Sequence, residues 1–583
     1  MSRHEVGERG IDESSKLDDG HEGFKGSLMS TKQMLDYVYE NESKHANKLW
    51  LTQPIGGGQV KEYTWAQAIG EARKMASHLN SLGFEPGSKI GIVSKNCAHF
   101  MITELAIWMA GYTTVALFPT VNGKTTSYVL DHADVKLIFI GKLDMPDWKN
   151  IQTGIPADMP KIAYALAPAN DFEKWDDIMA KSSPIAGNPS RDVDDTALII
   201  YTSGSTGQPK GVMHAFGRIA NAVAGMTKEL ELSPDDRQLS YLPLAHVFER
   251  AYVECASIAG VTHVFFAEAL DTFVQDLQRC RPTLFISVPR LWLKFQQGVF
   301  AKMPPKKLDT FLKIPILNRI VKKKILKGLG LDSVRLAGSG SAPIPAELIQ
   351  WYRDLGLMLL EGYAMSEDFA YSHLSTPEFT EPGYVGVPYP GVEVRISEEG
   401  EILIKSPGNM QGYYKEEAMT AECYTEDGFF KTGDRGERKP NGLLKITGRV
   451  KEIFKTSKGK YVAPAPIENI INNNPNVEAS CVSGSGFPQP YAQVVVAEDL
   501  RGQLGDASVK AKIESELKQL LSEVNSQVEH HESLQFIAIV SDDWSIANGF
   551  LTPTMKIKRG AIEDATKDRV EGWYNQGEKV FWA

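Results

Sequence analysis

Residues 197–212 read ALIIYTSGSTGQPKGV: an apolar, β-branched run passes straight into Thr202, Ser203, Gly204, Ser205, Thr206 and Gly207, with Lys210 close behind. A segment of this kind is suited to holding phosphate. Glycines let the backbone turn tightly and aim successive N–H groups at one anion. The hydroxyls of Ser203, Ser205 and Thr206 add donors, and Lys210 adds a compact positive charge. The spacing is not that of a Walker loop, because Lys210 follows Pro209 and precedes Gly211. A flexible Ser/Gly turn is the plain alternative. The density of hydroxyls, glycines and a lysine directly after a strand favours an anion site.

Five more segments rich in glycine, hydroxyl and charge follow: GSGSAPI (338–344), EGYAMSED (361–368), FKTGD (430–434), GRVKEIFKTSKGKYVAP (448–464) and LTPTMKIKR (551–559). Together with YTSGSTGQPKG they resemble, in sequence and in order, the signature segments of the adenylate-forming (AMP-binding) superfamily, which includes acyl-CoA synthetases, luciferases and the adenylation domains of peptide synthetases. The resemblance runs from about residue 30 to the C-terminus, and six ordered motifs do not coincide by chance. Within the superfamily, YLPLAHVFER (241–250) and SVPRLW (287–292) look most like the long-chain fatty acyl-CoA synthetases. Those two segments carry the substrate class and are less decisive than the nucleotide motifs.

The resemblance implies a two-step reaction. A carboxylate attacks the α-phosphorus of ATP, giving acyl-AMP and pyrophosphate; the CoA thiol then attacks the acyl carbonyl and releases AMP. The first step brings an anionic nucleophile to a polyanion, so it needs concentrated positive charge and oriented donors. By resemblance, Ser203, Gly204, Ser205, Thr206, Gly207 and Lys210 hold the β- and γ-phosphates. Gly338, Ser339, Gly340, Ser341 and Ala342 flank the adenine, with Glu361, Gly362, Tyr363, Ala364 and Met365 contributing to the same nucleotide site. Ser366 reaches the α-phosphate, while Glu367 and Thr206 are the expected ligands of Mg²⁺. That ion prefers one or two carboxylates completed by phosphate oxygens. Asp434 accepts from the ribose hydroxyls, and Arg449 contacts ribose or phosphate. Taken singly, Asp434 equally suits a turn after Gly433, and Glu367 a solvated acid at a helix start; their order among the six motifs argues otherwise. One departure stands out: the family often has glycine after the adenine-side tyrosine, where this chain has Ala364, whose methyl restricts the backbone.

Lys556 is the expected lysine bridging the acyl carboxylate and the α-phosphate. Here Met555-Lys556 replaces the family's usual Gly-Lys pair. Lys558, two residues on, is the alternative, and with Arg559 adjacent a solvated basic turn also fits the composition. Lys451 falls at the family's hinge position, about which a smaller domain swings. One orientation inserts Lys556; the other presents Lys458, Gly459 and Lys460 to the pantetheine arm of CoA. His246, in PLAHVFER, is expected to line the acyl pocket, with a satisfied core histidine as the alternative. The catalytic set is thus Lys556, Thr206, Glu367 and His246. The other histidines lack ligand spacing such as HExxH, and no metal is assigned to them.

Placing these groups requires alternating strands and helices. Residues 89–93 (KIGIV) form a short apolar run, 97–110 has helical length and periodicity, and 113–118 is a second β-branched run. The same style returns at 137–140, 197–200, 284–288 and 334–337. This alternation predicts βαβ units and a mostly parallel, doubly wound sheet. A β-rich stretch spans 392–448. Beyond it come shorter strands and a strongly helical segment, 508–525. The expected fold class is α/β: a large N-terminal body of doubly wound sheets plus a β-rich subdomain, with a smaller α+β C-terminal lid domain. The expected boundaries are a charged tail at 1–28, an AMP- and acyl-binding body at 29–448 and a mobile lid at 449–583.

Composition narrows the partners. The 583 residues carry 63 Lys+Arg against 73 Asp+Glu, a net charge of −10, which argues against a nucleic-acid binder. Cys97, Cys255, Cys280, Cys423 and Cys481 are odd in number and never spaced as CxxC, so they read as buried thiols in a reducing compartment. The apolar region 101–120 is interrupted by Glu104, Gly111 and Pro119, and reads as a buried helix followed by a buried strand rather than a membrane span. A cytoplasmic location is expected. Residues 302–327 are an exception in charge, with nine Lys/Arg and one acid, Asp309, interleaved with Phe311, Ile314, Ile316, Leu317 and Ile320. They fit either a solvated helix face or a patch that touches the inner membrane surface. The leading expectation is an ATP-dependent long-chain fatty acid:CoA ligase using ATP, Mg²⁺ and CoA. The alternatives are a fatty acyl-AMP ligase serving a carrier protein, an aryl or other carboxylic acid:CoA ligase, and a non-catalytic nucleotide-binding protein. Acyl chain length and oligomeric state are not set by the sequence.

Overall fold

In the computed structural model, which describes residues 32–203, 208–546, 548–552 and 555–583, the alternating apolar runs assemble into an eight-stranded sheet. Its order is Gly412–Tyr413, Pro209–Ala215, Thr196–Ser203, Thr113–Leu117, Lys89–Val93, Val135–Ile140, Lys161–Ala163 and Glu173–Lys174. From Thr196–Ser203 onward the strands run parallel; the first two are antiparallel additions at one edge. Thr113–Leu117 is buried at every residue, as a strand covered on both faces must be. The helix Ala98–Met109 is likewise buried on all sides, so 101–120 is a core helix and strand as expected. Gly204, Ser205, Thr206 and Gly207, and the tail at 1–28, lie outside the described residues.

A second sheet sets Leu284–Ser287, Leu336–Ser339 and Leu359–Tyr363 side by side in parallel, extended by the antiparallel His373–Leu374 and Val387–Pro388. A third is built from Arg237–Ser240, His263–Phe266, Leu49–Gly56 and Gln59–Thr64. The β-rich stretch forms an antiparallel sheet of Glu393–Ile396, Glu401–Lys405, Phe430–Arg438 and Leu444–Arg449. Among the described residues, strands after Arg449 pair only with one another. They form the hairpin Phe454–Lys455 with Tyr461–Val462, and the sheet Val477–Ser483, Tyr491–Val496, Ile537–Val540 and Val580–Trp582. The helix Ala507–Gln527 covers this sheet through Ile513, Leu517, Leu520, Leu521 and Val524. An ion pair fastens the C-terminal unit to the body: Arg290, on the helix Pro289–Lys302, donates to Glu478 on Val477–Ser483.

Two details depart from the sequence reading, and a third adds to it. Cys423 is only half-buried, unlike the other four cysteines, because it belongs to a small satellite cluster with Val212, Met410, Tyr413 and Phe430. Residues 302–327 do not form one helix: Pro315 breaks them into Pro305–Leu312 and Pro315–Leu329. The helical turn after His246, Val247–Glu249, continues as a π-helix, Arg250–Cys255, before Ala256–Gly260. Such wider turns often mark functional places. No helix among the described residues is long and apolar enough to cross a membrane.

The π-helix carries a buried charge cluster. The Arg250 guanidinium pairs with Glu104, donates from Nε to the Leu244 carbonyl at 3.1 Å, and lies 4.0 Å from Glu254. All three side chains are almost fully excluded from solvent. Burial first, then the neighbouring Glu104 carboxylate, pushes Glu254 well above the usual carboxylate range. Replacing Arg250 by methionine leaves Glu104 buried without its cation, and the expected loss is about 3–5 kcal/mol of stability, read from urea unfolding. Unchanged stability would show that the pair contributes nothing.

Candidate active site

The site forms where parallel strands end, the usual place for ligands on open α/β sheets. Ser339 lies opposite Glu361 in register, so the chain leaves Leu336–Ser339 and Leu359–Tyr363 side by side. Gly340 donates its N–H to the Ser287 carbonyl at 3.2 Å. A Cβ at Gly340 would lie 3.4 Å from the Phe248 ring and 3.5 Å from the Gly362 carbonyl oxygen. Ser341 adopts a left-handed backbone with φ +68, a conformation that costs energy and often marks a functional loop. Ala364, by contrast, is absent from the left-handed residues, so its methyl replaces the family's glycine without backbone strain.

Asp434 is held from two sides. The Tyr363 hydroxyl donates to its Oδ2 at 2.8 Å, and Arg449 Nε donates to its Oδ1 at 2.8 Å. The second contact follows from sheet register, because Asp434 on Phe430–Arg438 sits directly opposite Arg449 on Leu444–Arg449. Asp434 is largely buried while the Arg449 side chain remains 54% exposed, open to a ligand. Glu361 points elsewhere: its carboxyl accepts from the Gly383 N–H at 3.0 Å, and burial pushes its pKa up to about 8.

Glu367 lies in the 3₁₀ turn Ser366–Asp368. Asp368 accepts the Met365 N–H at 3.0 Å, and burial raises its pKa to about 8. His214, fully buried, is driven down to about 4 by burial and is neutral near pH 7. Its Nε2 lies 2.8 Å from the Ser366 carbonyl oxygen, which assigns the ring proton to Nε2 as donor. The turn is thus fixed from behind by groups kept uncharged. Glu367 itself accepts the Tyr413 hydroxyl on Oε1 at 2.8 Å, and Lys210 Nζ stands 5.2 Å from the Tyr413 ring centroid. Tyr413 reaches this position because Gly412–Tyr413 pairs with Pro209–Ala215, Tyr413 opposite Val212. Tyr413, His214 and Asp368 escaped the sequence reading. No motif surrounds Tyr413, and only the pairing of two segments distant in sequence brings it to Lys210.

Lys556 reaches the same space from the C-terminal unit. Its turn is closed by Thr552 N–H to the Lys556 carbonyl at 2.8 Å, Lys556 N–H to Thr552 Oγ1 at 3.1 Å, and a bridge between Leu551 and Ile557. Met555, where the family usually has glycine, takes φ +61. The Lys556 side chain is exposed to solvent. Desolvation and then Arg449 lower its pKa, while Asp434, Glu367 and Glu452 oppose the shift. His246 is pushed down to about 4 by burial and, second, by Lys556, and its Nδ1 accepts the Phe248 N–H at 3.2 Å. Behind this helix a cavity of about 10 Å³, bounded by Phe248, Glu249, Tyr252 and Ile286, has room for a single water.

The neighbouring basic residues have other surroundings. Lys558 occupies the start of the helix Arg559–Gln576 and donates its N–H to the Phe550 carbonyl at 2.8 Å. Arg559 is an internal hub that binds Glu468 at 2.6 Å and the Val482 carbonyl at 2.6 Å. Lys451 sits in an exposed turn, and Lys458 and Gly459 form the exposed tip of the short hairpin. Gly459 has φ +79, and a Cβ there would meet only the flexible end of Lys455 at 3.8 Å, so here glycine answers a need of backbone conformation. Ser203 ends its strand beside the undescribed loop 204–207. Among the described residues, no three His, Cys, Asp or Glu side chains converge as a metal cage.

Comparison with known proteins agrees with this geometry. The AMP-binding enzyme family matches residues 38–414, and the AMP-binding enzyme C-terminal domain matches residues 451–578. The chain belongs to this family, and its mixed α/β architecture is that of the adenylate-forming enzymes. It is 29% identical to a peroxisomal long chain acyl-CoA synthetase of Arabidopsis thaliana, over 90% of this chain and 83% of that protein. It is also 29% identical to a long-chain-fatty-acid–CoA ligase of Mycobacterium bovis, over 92% of this chain and 96% of that one. Among solved structures, the didomain of a carboxylic acid reductase from Segniliparus rugosus in complex with AMP superposes with a TM-score of 0.77 at 21% identity, covering 94% of this chain and 82% of that one. An anthranilate CoA ligase in complex with anthranoyl-AMP gives 0.73 at 20% identity, covering 92% and 98%.

The charge that Lys556 exerts on His246 can be read directly. In Lys556→Ala the His246 imidazole should titrate above the value of about 4 expected in the unaltered protein, as followed by NMR of the ring protons. An unchanged titration would place Lys556 away from the site in solution.

Proposed function

We propose that this member of the AMP-binding enzyme family is an ATP-dependent long-chain fatty acid:CoA ligase that works through an acyl-AMP intermediate. The observation that carries the reading is the convergence of Lys556 from the C-terminal unit with Asp434 and Glu367 of the body, and with Arg449 at the junction of the two, around one space. The acyl class rests on YLPLAHVFER and SVPRLW, and on the names of relatives at 29% identity.

In this reading the body comprises residues 29–448 and the moving lid 449–583. Adenine lies against Gly338–Ala342 and the Tyr363 side of the site. Asp434 already accepts two hydrogen bonds, but a carboxylate offers about four acceptor positions, so it can still receive ribose hydroxyls. Lys210 and the hydroxyls of Ser203, Ser205 and Thr206 hold the outer phosphates. Glu367, its carboxylate oriented by Tyr413, fits Mg²⁺ as a single carboxylate ligand completed by phosphate oxygens and water, with Thr206 as the second protein ligand. When bound, that ion neutralises phosphate charge.

Lys556 bridges the acid and the α-phosphate. Burial and Arg449 both disfavour its ammonium in the empty site. An anionic acid and an anionic phosphate beside it reverse that balance, so the substrates themselves favour the inserted lysine. His246 stays neutral and lines the acyl side, where it adds no charge to compete for the carboxylate. The acyl chain takes its place by displacing side chains such as Phe248 and Tyr252 that now close the small cavity. For thioester formation the lid turns about Lys451 and brings the Lys458-Gly459 tip, exposed in the present orientation, to the pantetheine arm.

The deciding experiment offers a panel of carboxylic acids with ATP, with and without CoA, and identifies products by mass. Long-chain acyl-CoA is the expected product. Acyl-AMP that persists in the presence of CoA would replace this reading with an acyl-AMP ligase, and turnover confined to aryl acids would replace the substrate class. Lys556→Ala should lower pyrophosphate release by about 10²–10³-fold while still converting supplied acyl-AMP to acyl-CoA. Equal loss of both half-reactions would remove Lys556 from its assigned role.

A further inference from the structure

Residues 302–327 concentrate nine Lys/Arg and one Asp on a chain whose net charge is −10. They form the helices Pro305–Leu312 and Pro315–Leu329, which follow directly on the helix Pro289–Lys302. Pro315–Leu329 contains no fully buried residue. Its inward side is still defined, because Leu326 and Leu329 pack against the core cluster of Phe285, Trp292 and Tyr352. On the opposite side Ile316 is 76% exposed and Ile320 57%, joined by Ile314 at 43% and Leu317 at 37%. Helical spacing sets Ile316, Ile320, Lys323 and Lys327 within about 60° of one another. A stripe of bare isoleucine thus runs into a stripe of exposed lysine. Among the described residues none of the nine cations enters a salt bridge.

We propose that this face docks on the surface of an anionic lipid bilayer, with Ile316 and Ile320 entering the headgroup boundary and the lysines meeting lipid phosphates. The charge excludes the simplest competing occupant. A second copy of the chain, docked face to face, would set like charge against like charge. A nucleic acid would satisfy the lysines but give Ile316 and Ile320 nothing apolar to enter. A bilayer supplies both an anionic surface and an apolar interior at the same depth interval. The assignment rests on this surface and not on the ligase reading, and it is measured without turnover.

The test is co-sedimentation of the full chain with vesicles of phosphatidylcholine alone and of phosphatidylcholine with phosphatidylglycerol. The face predicts binding to the anionic vesicles, little to the neutral ones, and a loss of about tenfold or more when salt rises from about 0.1 M to about 0.5 M. Lys323→Glu with Lys324→Glu and Lys327→Glu should abolish binding. Ile316→Ser with Ile320→Ser should weaken it by about tenfold or more. All these side chains are exposed, so the unfolding temperature should be unchanged and separates lost docking from lost fold. Equal binding to both vesicle types, or binding that survives both sets of substitutions, overturns the proposal. So does binding to single-stranded RNA that outcompetes the vesicles and ignores the isoleucine changes, which would assign the face to a polyanion.

Discussion

One carboxylate, Asp434, ties three parts of the molecule together. It receives a hydrogen from Tyr363 at the end of one sheet and another from Arg449 in a second sheet. Arg449 ends the strand Leu444–Arg449, where the C-terminal unit begins. The lysine contributed by that unit, Lys556, returns to the same spot, where Asp434 favours its charge and Arg449 opposes it. The position of a whole domain is therefore sensed at one anion flanked by two cations. A ligand that adds negative charge there favours both cations, and the Arg290–Glu478 pair holds the same orientation from elsewhere on the two units.

Around this charged centre the protein keeps its supporting groups neutral. His214 and His246 are pushed down to about 4, and Asp368 and Glu361 up to about 8, chiefly by burial. Uncharged groups can be packed tightly without unpaired charges in the interior. The single buried arginine nearby, Arg250, is matched by Glu104. The scaffold is rigid where it is neutral, and the formal charges are left at the open end of the cleft, where substrates carry charge of their own.

The sequence displayed the strands through their apolar runs, and it displayed the candidate site where the residues that meet lie within its motifs. Asp434 and Arg449 belong to consecutive motifs because they are partners across one hairpin. Lys556 and Lys558 differ in three dimensions in a way that neighbouring lysines do not show in sequence: one follows a tight turn and the other stands at a helix start. Tyr413 was illegible for a different reason: its position depends on an edge strand that joins the large sheet from far along the chain. His214 is an ordinary strand residue until the Ser366 carbonyl arrives beside it. The split of 302–327 into two helices could have been anticipated at Pro315, since the residue before a proline is poorly suited to a helix.

Met555 gives the site a quality that glycine would not. Its left-handed backbone costs roughly 1–2 kcal/mol in a non-glycine residue. Glycine would adopt that shape freely, but it would adopt many others as freely. Methionine leaves the turn few conformers, and the bonds from Thr552 select the one in which Lys556 projects into the cleft. The aim of the lysine is thereby set by the main chain, before its own long side chain chooses among rotamers. The turn gives up some stability and gains in return a narrower distribution of trajectories for the lysine it carries.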